Sequence, residues 1–392
     1  MSMRAVAAAV APEPIDEKDE AGLPGALAQL QEVAEDLSEH TLSAATLRAY
    51  DRAWRSFEDF TDQHGLDALP AHPQTVGWYV AWLAQQTHDD GTPARGVSSV
   101  RQDLAGIAHV HLRAGLLDPT AHQSVRDLVR GLSRLRAARP AQRRALLRDD
   151  VLRVIAAMEH DVYPIGVSAH RDTLALWLGF AGALRRSEAA GLHLSQLHLD
   201  DHDGVHVRVG KSKADQENQH PDIVVLPYGT KAVSCPVCAL HRWVQLLSLS
   251  QQPDASARRQ SMMKALYSYQ DREHVCGAEG GPGLITSADL TEPRPLLPAT
   301  YRNRHDARVH DRAVSGDALH TMLRTRLAAA GIDPRPYGFH SLRAGHVTQA
   351  RRGGADTAEI MRAGRWQRAA TVELYDREHS PAERNSVHSL GL

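Results

Sequence analysis

His340-Ser341-Leu342-Arg343, then Gly364-Arg365-Trp366, then Tyr375, is the stretch on which the reading of this chain turns; Leu184-Arg185-Arg186-Ser187-Glu188 is its counterpart far upstream. Together these segments offer guanidiniums, an imidazole, an indole N–H and a phenol. That set suits the handling of a phosphodiester. A guanidinium is a planar fork that matches two phosphate oxygens, so two arginines can clamp both non-bridging oxygens. Donors aimed at charge that grows in the transition state are often the largest catalytic contribution, and losing one typically costs about 100- to 1000-fold in rate. A phenol attacks phosphorus once a base takes its proton, and His340 is the candidate base. Residues three apart on a helix share a face. A helix beginning near His340 therefore turns His340 and Arg343 toward one phosphate and adds its own positive end.

His-x-x-Arg, Gly-x-Trp and a Tyr nine residues after that Trp resemble the catalytic signature of the tyrosine recombinases, the phage integrase family. Leu184-Arg185-Arg186-Ser187-Glu188 resembles the family's first arginine motif, and the likeness extends over roughly residues 40 to 385. It implies a mainly α fold with a small antiparallel β-sheet: a helical, SAM-like core-binding domain followed by the recombinase catalytic domain. It also implies that Arg185 and Arg343 bind the scissile phosphate, that His340 moves a proton, and that Tyr375 is the nucleophile. Many members carry His where this chain has Trp366. An indole N–H still donates to a phosphate but cannot shuttle a proton, so position 366 is left with positioning and electrostatics. Arg185 and Arg186 diverge by about 100° on a helix; the motif register selects Arg185. Glu188 is read as orienting a neighbouring backbone or arginine.

The leaving 5′-oxygen of DNA needs a proton, and the family supplies it from a lysine on a β-hairpin. This chain has five lysines against forty arginines, yet two of the five stand in Gly210-Lys211-Ser212-Lys213. Arg holds its proton too tightly to be a useful acid, whereas Lys can be tuned. Val205 to Val209 alternates as a strand after an Asp203-Gly204 turn, and Asp222 to Leu226 reads as the next strand. Lys213 takes the catalytic place by resemblance, with Lys211 the alternative. Taken singly, Tyr375 and Trp366 read as core residues and Arg343 as a surface ion-pair former; the joint pattern shifts the weight to chemistry.

The composition agrees. With 392 residues, two to three domains are expected. No run approaches the ~20 apolar residues of a membrane span, and three cysteines argue for a reducing compartment rather than a disulfide framework. The expected location is the bacterial cytoplasm. The formal charge of −2 hides a division. Residues 1–40 hold nine acids against two basic residues, whereas 95–148 hold eleven arginines against three acids, a local net of +8. A basic middle fits a surface that tracks phosphates; Arg134, Arg136, Arg139, Arg143 and Arg144 are its candidate DNA contacts.

The chain divides into an acidic segment over 1–38, with an amphipathic stretch at Leu27, Leu30, Ala34 and Leu37, then a helical domain over 39–137. A basic linker covers 138–145 and the catalytic domain 146–392. In the helical domain, Thr41 or Ser43 caps a helix with the stripe Leu47, Tyr50, Trp54, Phe57 and Phe60, and the fourth helix carries Val125, Leu128, Val129 and Leu132. Residues 250–312 read as irregular loops between helices. Cys235-Pro236-Val237-Cys238 raises zinc, with His274 and Cys276 as remote partners. A lone Cys-x-x-Cys is a weak signal, and the segment resembles a helix entry where Cys is incidental, so neither metal nor cofactor is expected.

The reading that follows is a site-specific recombinase that cuts and rejoins double-stranded DNA through a 3′-phosphotyrosyl link, as a tetramer on paired sites. The rivals are a type IB topoisomerase-like relaxing enzyme and a DNA-binding protein without catalysis.

Overall fold

A computed structural model of the chain describes residues 30, 42–136, 143–210, 222–269, 274–276, 284–302 and 306–375. The chain splits into two compact units, Met1–Pro140 and Ala141–Leu392. It is mainly helical, with two small antiparallel sheets among the described residues. No helix among those residues is long and apolar enough to cross a membrane. Leu30 apart, the expected amphipathic stretch lies outside the described residues, as do Arg139, Lys211 and Lys213.

In the first unit, α1 (Ala44–His64) is capped by Ser43, whose Oγ accepts from Thr46 N at 3.2 Å. Helices α2 (Pro73–Gln85), α3 (Val97–Arg113) and α4 (Gln123–Leu135) complete the bundle. Its core joins Phe57 and Phe60 of α1 to Tyr79 and Leu83 of α2 and Ile107 of α3. Pro73, at the first helical position, starts α2, where its missing N–H costs nothing. One expectation fails in α4: Leu128 is 44% exposed. It lies at Gly77 of α2, which offers no side chain to pack over it.

The second unit is built around α6 (Ile165–Phe180), buried over almost its whole length. Such a helix is covered on all sides, so the polar groups it carries, such as Asp172, must find partners inside. Helices α5 (Arg148–Ala156), α8 (Pro236–Leu249), α10 (Gly316–Ala329) and α11 (His340–Arg352) pack against it. The short α7 (Arg186–Ala190) leads into a sheet of order β1 (Leu197–Asp200), β2 (Gly204–Val209), β3 (Asp222–Leu226). In its register Val207 faces both Leu197 and Val224. The chain ends, among described residues, in α12 (Thr357–Gly364) and α13 (Ala369–Glu373).

The stretch 250–312 is not a loop region. It contains α9 (Ala255–Ser268), capped by Asp254, and a hairpin of β4 (Pro298–Arg302) with β5 (Ala307–Ala313). Both were hidden because their apolar periodicity is weak. Only Met262, Ala265 and Leu266 of α9 are buried, and of β5 only Ala307.

Two features fix α11. Leu146 N donates to Ser341 O at 3.0 Å, and a Cβ added at Gly345 would overlap the Leu146 backbone. The buried Asp172 of α6 takes Arg171 on one oxygen and Arg326 of α10 on the other, each at 2.7 Å. Asp172→Ala would leave two nearly buried guanidiniums without their counter-ion. Breaking a buried pair in this way costs about 3–5 kcal/mol, which is expected as a lowered urea midpoint with an unchanged slope.

Candidate active site

Helix α11 begins at His340, so its first turn presents His340 at the surface and Arg343 inward. The Arg343 side chain is 1% exposed. Its Nη1 donates to Ala183 O and its Nη2 to Gly364 O at 2.6 Å, while its guanidinium carbon lies 3.9 Å from the Trp366 ring centroid. Burial, then the charges of Arg185 and Arg365, pull its pKa down to about 9. It therefore remains a cation at neutral pH.

Both carbonyls that hold Arg343 adjoin unusual backbone. Ala183 has φ 47° and Arg365, next to Gly364, has φ 56°. Left-handed geometry costs a residue with a side chain about 1–2 kcal/mol, and such strain clusters at functional sites. Gly364 is required for a different reason: a Cβ there would overlap the Trp366 ring.

Arg185 caps α7, and its side chain is 30% exposed. Glu188, three residues on, accepts from Arg185 N at 2.8 Å and from Arg185 Nη1 at 2.5 Å. Its other role links distant sequence: Arg365 Nη2 donates to Glu188 Oε2 at 2.8 Å. Burial pushes the Glu188 carboxyl up, but the Arg365 charge and the hydrogen bonds from Arg185 and Arg365 outweigh it and hold the pKa below the ordinary value.

Tyr375 follows α13, and its Oη lies 2.6 Å from His340 Nε2. The Tyr375 ring packs 6.0 Å from Trp366, over a small core of Ala183, Val347, Ile360 and Val372. The structure thus brings Arg185, His340, Arg343, Trp366 and Tyr375 together. The lysine candidates lie outside the described residues. The strand that follows them begins at Asp222, whose Oδ2 is 3.8 Å from Arg365 Nη1.

Two participants were missed in the sequence. Arg365 was quoted without a role, since nothing local announces its left-handed backbone or its ion pair. His346 sits one turn beyond Arg343, donates from Nδ1 to Phe180 O at 3.0 Å and packs on Trp366. Burial lowers its pKa, the Phe180 hydrogen bond opposes this, and Arg343 lowers it again.

The arginines proposed from charge fare unevenly. Arg134 is exposed. Arg136 instead donates to Arg95 O and to Ala84 O at 2.6 Å, and Arg143 to Arg335 O at 2.8 Å. Arg144 lies 5.9 Å over the Tyr337 ring. In the first unit, exposed Arg101, Arg126 and Arg130 line a cleft of about 290 Å³.

No family model matches the chain. Curated relatives do. An integrase/recombinase xerD homolog of Selenomonas ruminantium is 24% identical over 348 residues, 88% of this chain and 85% of that protein. A tyrosine recombinase XerC of Pseudomonas fluorescens is 31% identical over 222 residues, which is 56% of this chain and 64% of the relative. The chain is thus similar to curated tyrosine recombinases. Among solved structures, that of the Tn1549 transposon integrase with transposon right end DNA is 10% identical at TM-score 0.48, covering 92% of this chain and 99% of that one. XerA recombinase is 16% identical at TM-score 0.37, covering 91% and 95%.

Glu188 holds two cations, and its depressed pKa sets a pH dependence. Its carboxylate contributes its full stability above the ordinary glutamate value of 4.5 and loses it as pH falls through the lower folded value. The difference in unfolding free energy between wild type and Glu188→Gln should therefore be largest above that ordinary value and shrink in acid. A difference independent of pH would contradict the assignment.

Proposed function

We propose that this chain is a site-specific recombinase that cuts and rejoins double-stranded DNA. The observation that carries this reading is the Tyr375 phenol at 2.6 Å from His340 Nε2, together with the buried Arg343 guanidinium. Tyr375 Oη attacks the scissile phosphorus and its proton passes to His340. Arg343 has five N–H donors; two carbonyls take two of them, which leaves donors for a non-bridging oxygen. Arg185, oriented by Glu188, takes the other. Trp366 holds Arg343 in plane and supplies its indole N–H.

Lys213 is assigned the proton delivered to the departing 5′-oxygen, with Lys211 the alternative. Asp222, the first described residue after the two lysines, lies 3.8 Å from Arg365, which supports this assignment. The product is a 3′-phosphotyrosyl link that keeps the energy of the broken bond. A 5′-hydroxyl of another strand then displaces Tyr375, so strands exchange without net hydrolysis. Two exchanges between paired duplexes need four protomers. In this scheme the first unit, with Arg101, Arg126, Arg130 and Arg134, grips the duplex, and affinity falls steeply with salt as counterions are released.

The test uses an oligonucleotide built from DNA junctions sequenced in cells and nicked beside the cleavage point. Wild type should form a covalent complex and Tyr375→Phe none. Joining of two separate sites separates recombination from relaxation of supercoils, which would favour the topoisomerase-like rival. Loss of a general acid typically costs about 100- to 10,000-fold. Lys213→Ala should show such a loss with an oxygen leaving group and recover with a 5′-bridging sulfur, which departs without a proton. Recovery by Lys211→Ala alone would transfer the role to Lys211.

A further inference from the structure

The Cys235–Cys238 pair reads in the sequence as incidental to a helix entry, with His274 and Cys276 as remote candidates; the structure brings the four side chains together. Each offers one ligand atom, and the four atoms all lie within 4.8 Å of one another. The three cysteines are buried and none is in a disulfide. We propose that these four side chains bind one structural Zn²⁺ ion.

The distances fit the ion. Tetrahedral zinc bonds of about 2.3 Å to sulfur and about 2.0 Å to nitrogen set sulfur–sulfur edges near ~3.8 Å and sulfur–nitrogen edges near ~3.5 Å. Cys235 Sγ and Cys276 Sγ are 4.0 Å apart, and His274 Nδ1 lies 3.4 Å from Cys238 Sγ and 3.7 Å from Cys276 Sγ. The sulfur pair is about twice as far apart as a disulfide bond of about 2.05 Å requires.

The surroundings are those of thiolates. Gly229 N donates to Cys235 Sγ at 3.2 Å, Cys238 N to the same sulfur at 3.4 Å, and Val275 N to Cys238 Sγ at 3.4 Å. Cys235 also caps α8, where the positive end of the helix favours an anionic sulfur. Three soft sulfurs with one imidazole and no carboxylate select zinc over harder cations. Four protein ligands leave no open position, which marks a structural rather than a catalytic ion. The ion would tie the start of α8 to residues 274–276, whose Val275 O accepts from Leu284 N at 3.1 Å. It would thus anchor the excursion between α9 and the β4–β5 hairpin.

The experiment takes the full chain, purified without a polyhistidine tag under reducing conditions and dialysed against metal-free buffer. Elemental analysis should find about one zinc per chain, as a closed four-ligand site retains its ion. Cobalt exchanged into the wild type should show the intense visible absorption of a tetrahedral thiolate complex. Cys276→Ser should lose most of the metal, and His274→Cys, which keeps four ligands, should retain it. Should Cys276→Ser fail to fold, the wild-type metal count and cobalt spectrum still decide. Wild type free of zinc, a weak octahedral cobalt spectrum, or a disulfide joining two of the cysteines would each overturn the proposal.

Discussion

A buried guanidinium is the constraint around which the second unit is arranged. Removing such a cation from water costs several kcal/mol, so Arg343 can sit inside only if the chain surrounds it with acceptors. It does so with two carbonyls and an aromatic face. The Ala183 carbonyl lies beside the motif that carries Arg185, and the Gly364 carbonyl lies beside the one that carries Arg365 and Trp366. Seating Arg343 therefore fixes the three motifs relative to one another. The strained backbone at Ala183 and Arg365 is part of that seating.

The charges around Arg343 do not balance. Arg185, Arg343 and Arg365 stand close enough to lower the pKa of Arg343, and Glu188 is the carboxylate that binds two of them. Among the described residues, Glu188 and the partly exposed Asp222, 3.8 Å from Arg365, are two carboxylates against three cations. The excess positive charge is a cost in the free protein and an attraction for an anion that enters. A phosphodiester that gains negative charge as Tyr375 adds would draw on this preorganised field most strongly in the transition state.

Much of this was legible in the sequence because the chemistry sits at short, fixed spacings. His340 and Arg343 are one turn apart, and the helix starts where their pairing requires. The cap read at Ser43 is a side-chain signal and marks the start of α1 in the structure. What stayed hidden depends on tertiary contact. The Arg365–Glu188 pair spans 177 positions and Cys238–His274 spans 36, so no local pattern reveals either. Arg136 looked like a phosphate contact because its charge is visible in the sequence, whereas the carbonyls that capture it are not. Helix α9 and the β4–β5 hairpin escaped because few of their residues are buried.

The shared pocket of phenol, imidazole and guanidiniums is tested most directly by locating the covalent bond. The protein–DNA adduct trapped on a nicked substrate is digested with protease and nuclease, and the nucleotide-bearing peptide is sequenced by mass spectrometry. The expected result is a single modified residue, Tyr375, joined through a 3′-phosphate. A link to any other side chain, or through a 5′-phosphate, would contradict the geometry on which the mechanism rests.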